Sequence, residues 1–331
     1  MRALQIIILL TFGFAPLAAQ DFWVPTHGPY GGVVYSIFPD SNGVVYVGTY
    51  GGGVFQSSNN GHTWIQRGLD GQTVSSIMRD SQKNLLAVTF DKGVMRSSDN
   101  GSIWTPINNG LPNPLPLVFC VAISSGGDLY IATSSGLYRS TDQGSSWALL
   151  LSAYSIIAVA AAPSGLLFFG TDGGGVFRST DNGQSWTQAV SALGSVGVLK
   201  SDTQGHIFAG FTNTGFTDVS PGLLRSTNNG NSWEQINTGL TNVQIRSLAF
   251  RGPGELFLGT NAGVFVSTTN GDNWALGGLS ERIILSVALK YDGGVLAGAA
   301  GGGVFSLSTN DTTWEQLVSG LKSTVVRSIA V

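Results

Sequence analysis

The side chains equipped for chemistry are few and scattered. Asp91, Asp172, Asp218 and Glu281 supply carboxylates in polar, glycine-bearing stretches. Two carboxylates flanking a glycosidic bond can act as acid and base. Asp91 and Asp172 are the pair to consider, yet in such stretches they read as solvated loop charges. Arg96, Arg139, Arg178 and Arg225 each precede a tryptophan by eight residues. Equal spacing puts them on four different repeats at one radius, so they cannot converge on one ligand. His27, His62 and His206 lie far apart and form no metal-binding spacing. Cys120, the single cysteine, sits in the apolar run Leu117-Val-Phe-Cys-Val-Ala122 and reads as a buried small hydrophobe. The glycine runs 51–53, 173–175 and 301–303 recur at one place in the repeat with no helix after them, so they are not phosphate loops.

What must position these groups is a repeat. Trp64, Trp104, Trp147, Trp186, Trp233, Trp274 and Trp314 follow one another at intervals of 40, 43, 39, 47, 41 and 40 residues. Each ends a similar phrase, clearest in Ser140-Thr-Asp-Gln-Gly-Ser-Ser-Trp147 and Ser179-Thr-Asp-Asn-Gly-Gln-Ser-Trp186. A period in the range of about 20–50 residues signals a solenoid or propeller.

One copy shows the unit. Ile156–Ala160 is a first strand, apolar enough to be buried on both faces, and Pro163-Ser-Gly165 turns the chain. Leu166–Gly170 is a second strand, Thr171–Gly175 a glycine-rich loop and Val176–Thr180 a third strand. Asp181-Asn-Gly183 turns again into Trp186–Val190, the fourth. Four short antiparallel strands per period describe a propeller blade. Seven complete units fit between about residues 33 and 324. The expected fold is all-β: a β-propeller of four-stranded antiparallel blades, seven in number, with eight as the alternative if the chain stops mid-blade. Trp23–Gly28 reads as a leading fourth strand and Val325–Val331 as a trailing first strand, which keeps that alternative open.

Of 331 residues, 42% are hydrophobic and only 11% charged, with 47 glycines. Arg2, the apolar run Leu4–Phe14 and Pro16-Leu-Ala-Ala19 read as a signal peptide covering residues 1–19, with residues 20–331 as one propeller domain. The apolar run falls short of the roughly 20 residues of a spanning helix, and no later segment would cross a membrane as a helix. Without Arg2 there remain 15 basic and 19 acidic residues, a net charge of −4. The basic residues are dispersed, which argues against nucleic acid. The expected location is outside the cytoplasm: secreted, at the cell surface or periplasmic.

The phrase Ser-x-Asp-x-Gly-x-x-Trp resembles the Asp-box, or BNR repeat. It is complete at Ser97–Trp104, Ser140–Trp147 and Ser179–Trp186. Asn replaces Asp in Ser57–Trp64 and Ser226–Trp233, and Thr269 replaces it in Ser267–Trp274, where a weaker turn is expected. The last copy carries Leu307, Thr309 and Asp311 in place of Ser, Asp and Gly. The aspartate, as in Asp99, Asp142 and Asp181, accepts hydrogen bonds from following amides, and glycine takes a positive φ. The tryptophan is expected to pack back across its own blade. With Gly28-Pro-Tyr-Gly-Gly32 and Gly174-Gly-Val-Phe-Arg-Ser-Thr-Asp-Asn-Gly183, the chain resembles the exported YCF48-like, sortilin-like and sialidase-like propellers.

That resemblance places the boxes away from the ligand face. The ligand face then comprises the second-to-third strand loops and the fourth-to-first connections. Its candidates are Tyr50, Asp91, Tyr154, Asp172, Phe211, Phe216, Asp218, Glu281 and Arg282, with the repeat-breaking loop Phe211–Gly222 foremost. Sialidases need an arginine triad, a tyrosine–glutamate pair and an early Phe-Arg-Ile-Pro, which is absent. Xyloglucanase-like enzymes build their cleft between two propellers, and this chain has room for one. The expected function is a non-enzymatic, monomeric binding or scaffold module for a protein or glycan ligand, without cofactor or metal. A glycoside-active propeller, or part of one, is the alternative.

Overall fold

The computed structural model describes residues 32–321 except 153–154, 193, 214–219, 310, 318 and 320. The strands run in chain order from β1 (Val34–Pro39) to β28 (Glu315–Leu317), four to a blade and paired with their sequence neighbours. In the fourth blade these are β13 (Ile156–Ala161), β14 (Leu167–Thr171), β15 (Val176–Ser179) and β16 (Thr187–Val190), all antiparallel. Each limit lies within one residue of that read from the pattern. The protein is a seven-bladed propeller.

Burial differs by strand in a way the composition alone misassigns. The second strands, such as β2 (Val45–Thr49), β14 and β26 (Val295–Ala299), are buried at every residue. They lie mid-blade with another blade stacked on each face, so both sides must be apolar. The first strand β13, expected to be buried on both faces, is only partly buried, because inner strands border the axial channel. The fourth strands are short and exposed, as in β4 (Ile65–Gln66).

The ring closes between the first and seventh blades. Inner strand β1 packs beside β25 (Ile284–Leu289). Ile37 N–H donates to Ser286 Oγ at 3.1 Å across this seam. Gly298 of β26 approaches Val34 so closely that a Cβ would stand 2.6 Å from Val34 Cγ1. Closure at seven sets aside the eight-bladed alternative. The leading strand at Trp23, the trailing strand at Val331 and the signal peptide lie outside the described residues.

The third-to-fourth strand turns of the first six blades share one hydrogen-bond pattern. In Ser179–Trp186, Asp181 Oδ1 accepts from Ser185 N, and Ser179 Oγ accepts from Gly183 N, at 2.9 and 2.8 Å. Gly183 has φ 88° and Asn182 φ 59°, the left-handed geometry such a turn needs. Thr269, expected to weaken its turn, accepts the equivalent bond from Asn273 N at 2.9 Å through its hydroxyl. The tryptophans depart from expectation. In five of the seven copies the indole donates to the fourth strand of the preceding blade or the connection just after it, not across its own blade. The motif residue therefore fastens blades to each other.

Candidate functional site

All seven inner strands carry a β-bulge at one position. These strands are β1, β5 (Val74–Arg79), β9 (Val118–Ile123), β13, β17 (Ser195–Ser201), β21 (Ile245–Phe250) and β25. Pairing skips Tyr35, Ser75, Phe119, Ile157, Gly197, Arg246 and Leu285. A bulged residue leaves the ladder and its side chain is re-aimed. Here the position repeats seven times while the residue changes each time. Five of these residues, Ser75, Phe119, Ile157, Gly197 and Arg246, line one axial cavity of about 280 Å³. A sixth, Tyr35, lies 6.2 Å from Tyr50 and 6.1 Å from Phe90, ring centre to ring centre. Bulges near the start of each inner strand thus set one variable residue per blade at the same level, a side chain in every blade but the fifth, where it is Gly197.

The apolar rim extends onto the connection between the second and third blades, where Leu115 and Leu117 are exposed. Ile283, before β25, is exposed as well. The wall also holds charge. Lys200, on β17, donates from Nζ to Leu248 O at 2.6 Å. Its side chain is open to the lumen yet ringed by protein, and this poor hydration lowers its pKa to about 8. Arg246 donates from Nε to Asn261 Oδ1 at 2.9 Å. Its pKa is also lowered, by desolvation first, against an opposing pull from Tyr35.

The residues singled out from sequence scatter around this mouth. Tyr50 joins the aromatic cluster. Asp91 and Glu281 are exposed. Asp172 accepts a short hydrogen bond from Ser195 Oγ and so ties the fourth blade to the fifth. It stands on the fourth blade and Asp91 on the second, with a blade between them. Arg282 lays its guanidinium over the Phe305 ring at 4.6 Å. Phe211 must be corrected: it is fully buried within β18 (Ile207–Thr212), in the apolar core between blades. Its neighbours in the repeat are polar, but the strand runs on through it. Tyr154, Phe216 and Asp218 lie outside the described residues.

The third-strand arginines serve local structure. Arg139 pairs with Asp128 at 2.5 Å. Arg225, buried rather than on the blade surface, reaches Asp272 of the next blade at 2.8 Å. Turn aspartates cap their own amides, as Asp80 Oδ1 does for Gln82 N and Asn84 N. Cys120 is partly buried in the cavity wall, and desolvation raises its thiol pKa to about 11, which keeps it a poor nucleophile. Among the described residues no group of three His, Cys, Asp or Glu converges as metal ligands, and no helix is long and apolar enough to cross a membrane.

Tyr35, Lys200 and Arg246 escaped the pattern reading because they stand inside strands. Aligning the inner strands exposes them: Lys200 stands where other copies carry Ala122, Ala160, Ala249 and Ala288.

A two component regulator propeller repeat matches residues 29–51. No curated protein matches the chain by sequence. Among solved structures, the GH74 enzyme of Niastella koreensis aligns at 16% identity and TM-score 0.71, over 88% of this chain and 55% of that one. The extracellular domain of a putative hybrid two component system from B. thetaiotaomicron aligns at 18% identity and TM-score 0.68, over 85% and 38%. YCF48 bound to D1 peptide aligns at 16% identity and TM-score 0.66, over 85% and 95%. The chain therefore spans about half of the GH74 enzyme and well under half of the two component protein. At such identities the shared property is the fold: enzymes and binding domains alike are built on this β-propeller.

Proposed function

We propose that this chain is an exported, non-enzymatic, Asp-box propeller that binds a protein or glycan on the face where its second-to-third strand loops gather. The bulge ring carries the reading: a backbone device repeated seven times presents Tyr35, Ser75, Phe119, Ile157, Gly197, Arg246 and Leu285, which vary freely. A scaffold-only ring has no need of a mixed aromatic, aliphatic and cationic mouth. Exposed Leu115, Leu117 and Ile283 add apolar area of the kind that marks interaction sites. A peptide-bound YCF48 and an extracellular two component domain are built on the same fold, which supports the binding and the exported parts of the reading respectively. The signal peptide and a monomeric state belong to the same reading.

Screening the purified propeller against glycan arrays and displayed peptides tests this. A ligand whose binding weakens at least about tenfold in Tyr35→Ala/Phe119→Ala supports it. The alternative, a glycoside-active module, draws on the likeness to the GH74 fold. Robust turnover of xyloglucan that disappears in Asp91→Asn or Asp172→Asn would replace the binding reading with that one.

A further inference from the structure

Lys200 and Arg246 share a cavity with no acid in its wall. The lining consists of Ser75, Ser76, Phe119, Cys120, Val121, Ile157, Ala158, Val159, Gly197, Val198, Leu199, Lys200, Arg246 and Ser247, in which the two cations face only neutral partners. Lys200 satisfies one of its three donors, on Leu248 O, and the Arg246 Nε donor goes to the Asn261 amide oxygen. Neither makes an ion pair among the described residues. Strands β13, β14 and β18, which pack against β17, carry no charged side chain, and β21 contributes only Arg246. Two cations held this way repel each other and lack a counter-charge, an arrangement that an anion relieves.

The spacing narrows the class of anion. Arg246 occupies the bulge position, matched on β17 by Gly197. Lys200 stands three residues further along, or about 10 Å at the usual rise per residue. Between these levels the wall is uncharged, with Ala158 and Val198 beside Ser76, Cys120 and Ser247. A ligand with an anionic group at each end and a short uncharged segment between them matches that order.

We propose that the axial cavity binds a small organic dicarboxylate, one carboxylate on Arg246 at the mouth and the other on Lys200 deeper in. This rests on the binding-module reading but places its charged contacts on Arg246 and Lys200 rather than on the aromatic rim, with Phe119 common to both. Rim binding by a propeller that takes up no diacid would leave that reading standing and overturn this one.

Isothermal titration of the full propeller with succinate, glutarate and adipate, at constant ionic strength near neutral pH, tests it, with butyrate and sulfate as comparators. At least one diacid is expected to bind saturably and about tenfold or more tighter than butyrate or sulfate. Lys200→Met and Arg246→Gln should each weaken it by about tenfold or more, and Lys200→Arg should retain it. Binding should also fade as pH rises past the Lys200 pKa of about 8. No saturable diacid binding, equal binding of butyrate or sulfate, or binding indifferent to both substitutions overturns the proposal. Should Lys200→Met fail to fold by near-UV circular dichroism, Arg246→Gln at the open mouth decides alone.

Discussion

The Trp64 indole donates to the backbone carbonyl of Leu317 at 3.3 Å, fastening the first blade to the seventh across 253 positions of sequence. The same relation joins Trp104 to Arg67 O, Trp147 to Ile107 O, Trp274 to Ile236 O and Trp314 to Gly277 O, at 2.7–2.8 Å. Every blade supplying such a carbonyl ends in Gly-Leu: Gly68-Leu69, Gly110-Leu111, Gly239-Leu240, Gly278-Leu279 and Gly320-Leu321. The third and fourth blades lack that pair. Correspondingly, Trp186 turns to its own Gly183 O, and the Trp233 indole N–H is buried without a partner among the described residues.

Trp64→Phe keeps most of the ring volume but strands the Leu317 carbonyl. It should cost about 1–3 kcal/mol, the usual penalty for an unsatisfied buried polar group. Trp233→Phe removes a donor already unsatisfied and should cost distinctly less. Urea denaturation of both variants checks the contrast, and equal losses would refute a hydrogen-bonding role for Trp64.

Gly298 closes the ring against Val34 through the absence of a side chain. Gly298→Ala should destabilise by about 1–3 kcal/mol through overpacking. A Cβ there would also lie 3.1 Å from the Val34 carbonyl oxygen, so Val34→Ala should recover only part of the loss. A double-mutant cycle on denaturation midpoints measures that coupling.

Asp142 and Asp181 are held at a pKa of about 2, first by the Ser146 and Ser185 hydroxyls and then by the amides of the same residues. Their ordinary value is 3.8, so the unfolded chain takes up protons first on acidification. Their contribution is complete above 3.8 and is lost as pH falls towards 2. Asp142→Asn/Asp181→Asn keeps the acceptors, as Asn59 and Asn228 already do in their turns. Melting temperature against pH should therefore fall less steeply in the double variant over that range.

Lys200 shifts in the sense opposite to a paired lysine. Its folded pKa of about 8 lies below the ordinary 10.5, so between these values the unfolded chain holds the extra proton. Stability from this group is lowest below pH 8 and rises as pH climbs to 10.5. Lys200→Met should flatten that rise in thermal melts. The same low pKa and open lumen should make Lys200 the lysine labelled fastest by an amine-selective reagent near pH 8, as read by peptide mass mapping.

The face where the second-to-third strand loops gather is legible in the sequence only in outline. Tyr50 and Asp172 stand out because loops announce themselves by glycine and polarity, and the structure sets Tyr50 beside Tyr35 and Asp172 against Ser195. Phe211 was misplaced because a strand running into an irregular loop gives no sign of where burial ends. Arg246 and Lys200 were missed because each is a single departure inside an apolar strand, and nothing local shows that their strands are neighbours.

The amino-acid sequence by itself determined the unit: four strands, a Ser-x-Asp-x-Gly-x-x-Trp turn and seven copies. Its determinants are local, since hydrogen bonds such as Ser185 N to Asp181 Oδ1 span four residues and act within any one copy. The tertiary structure decided the rest. Closure at seven depends on how the angles between packed blades add around the axis, which no single repeat encodes. The carbonyl partners of Trp104, Trp147, Trp274 and Trp314 lie 37–40 residues away, and that of Trp64 lies 253 residues along the chain. The cavity with its two cations exists only because the closed ring brings the inner strands of separate repeats around one axis.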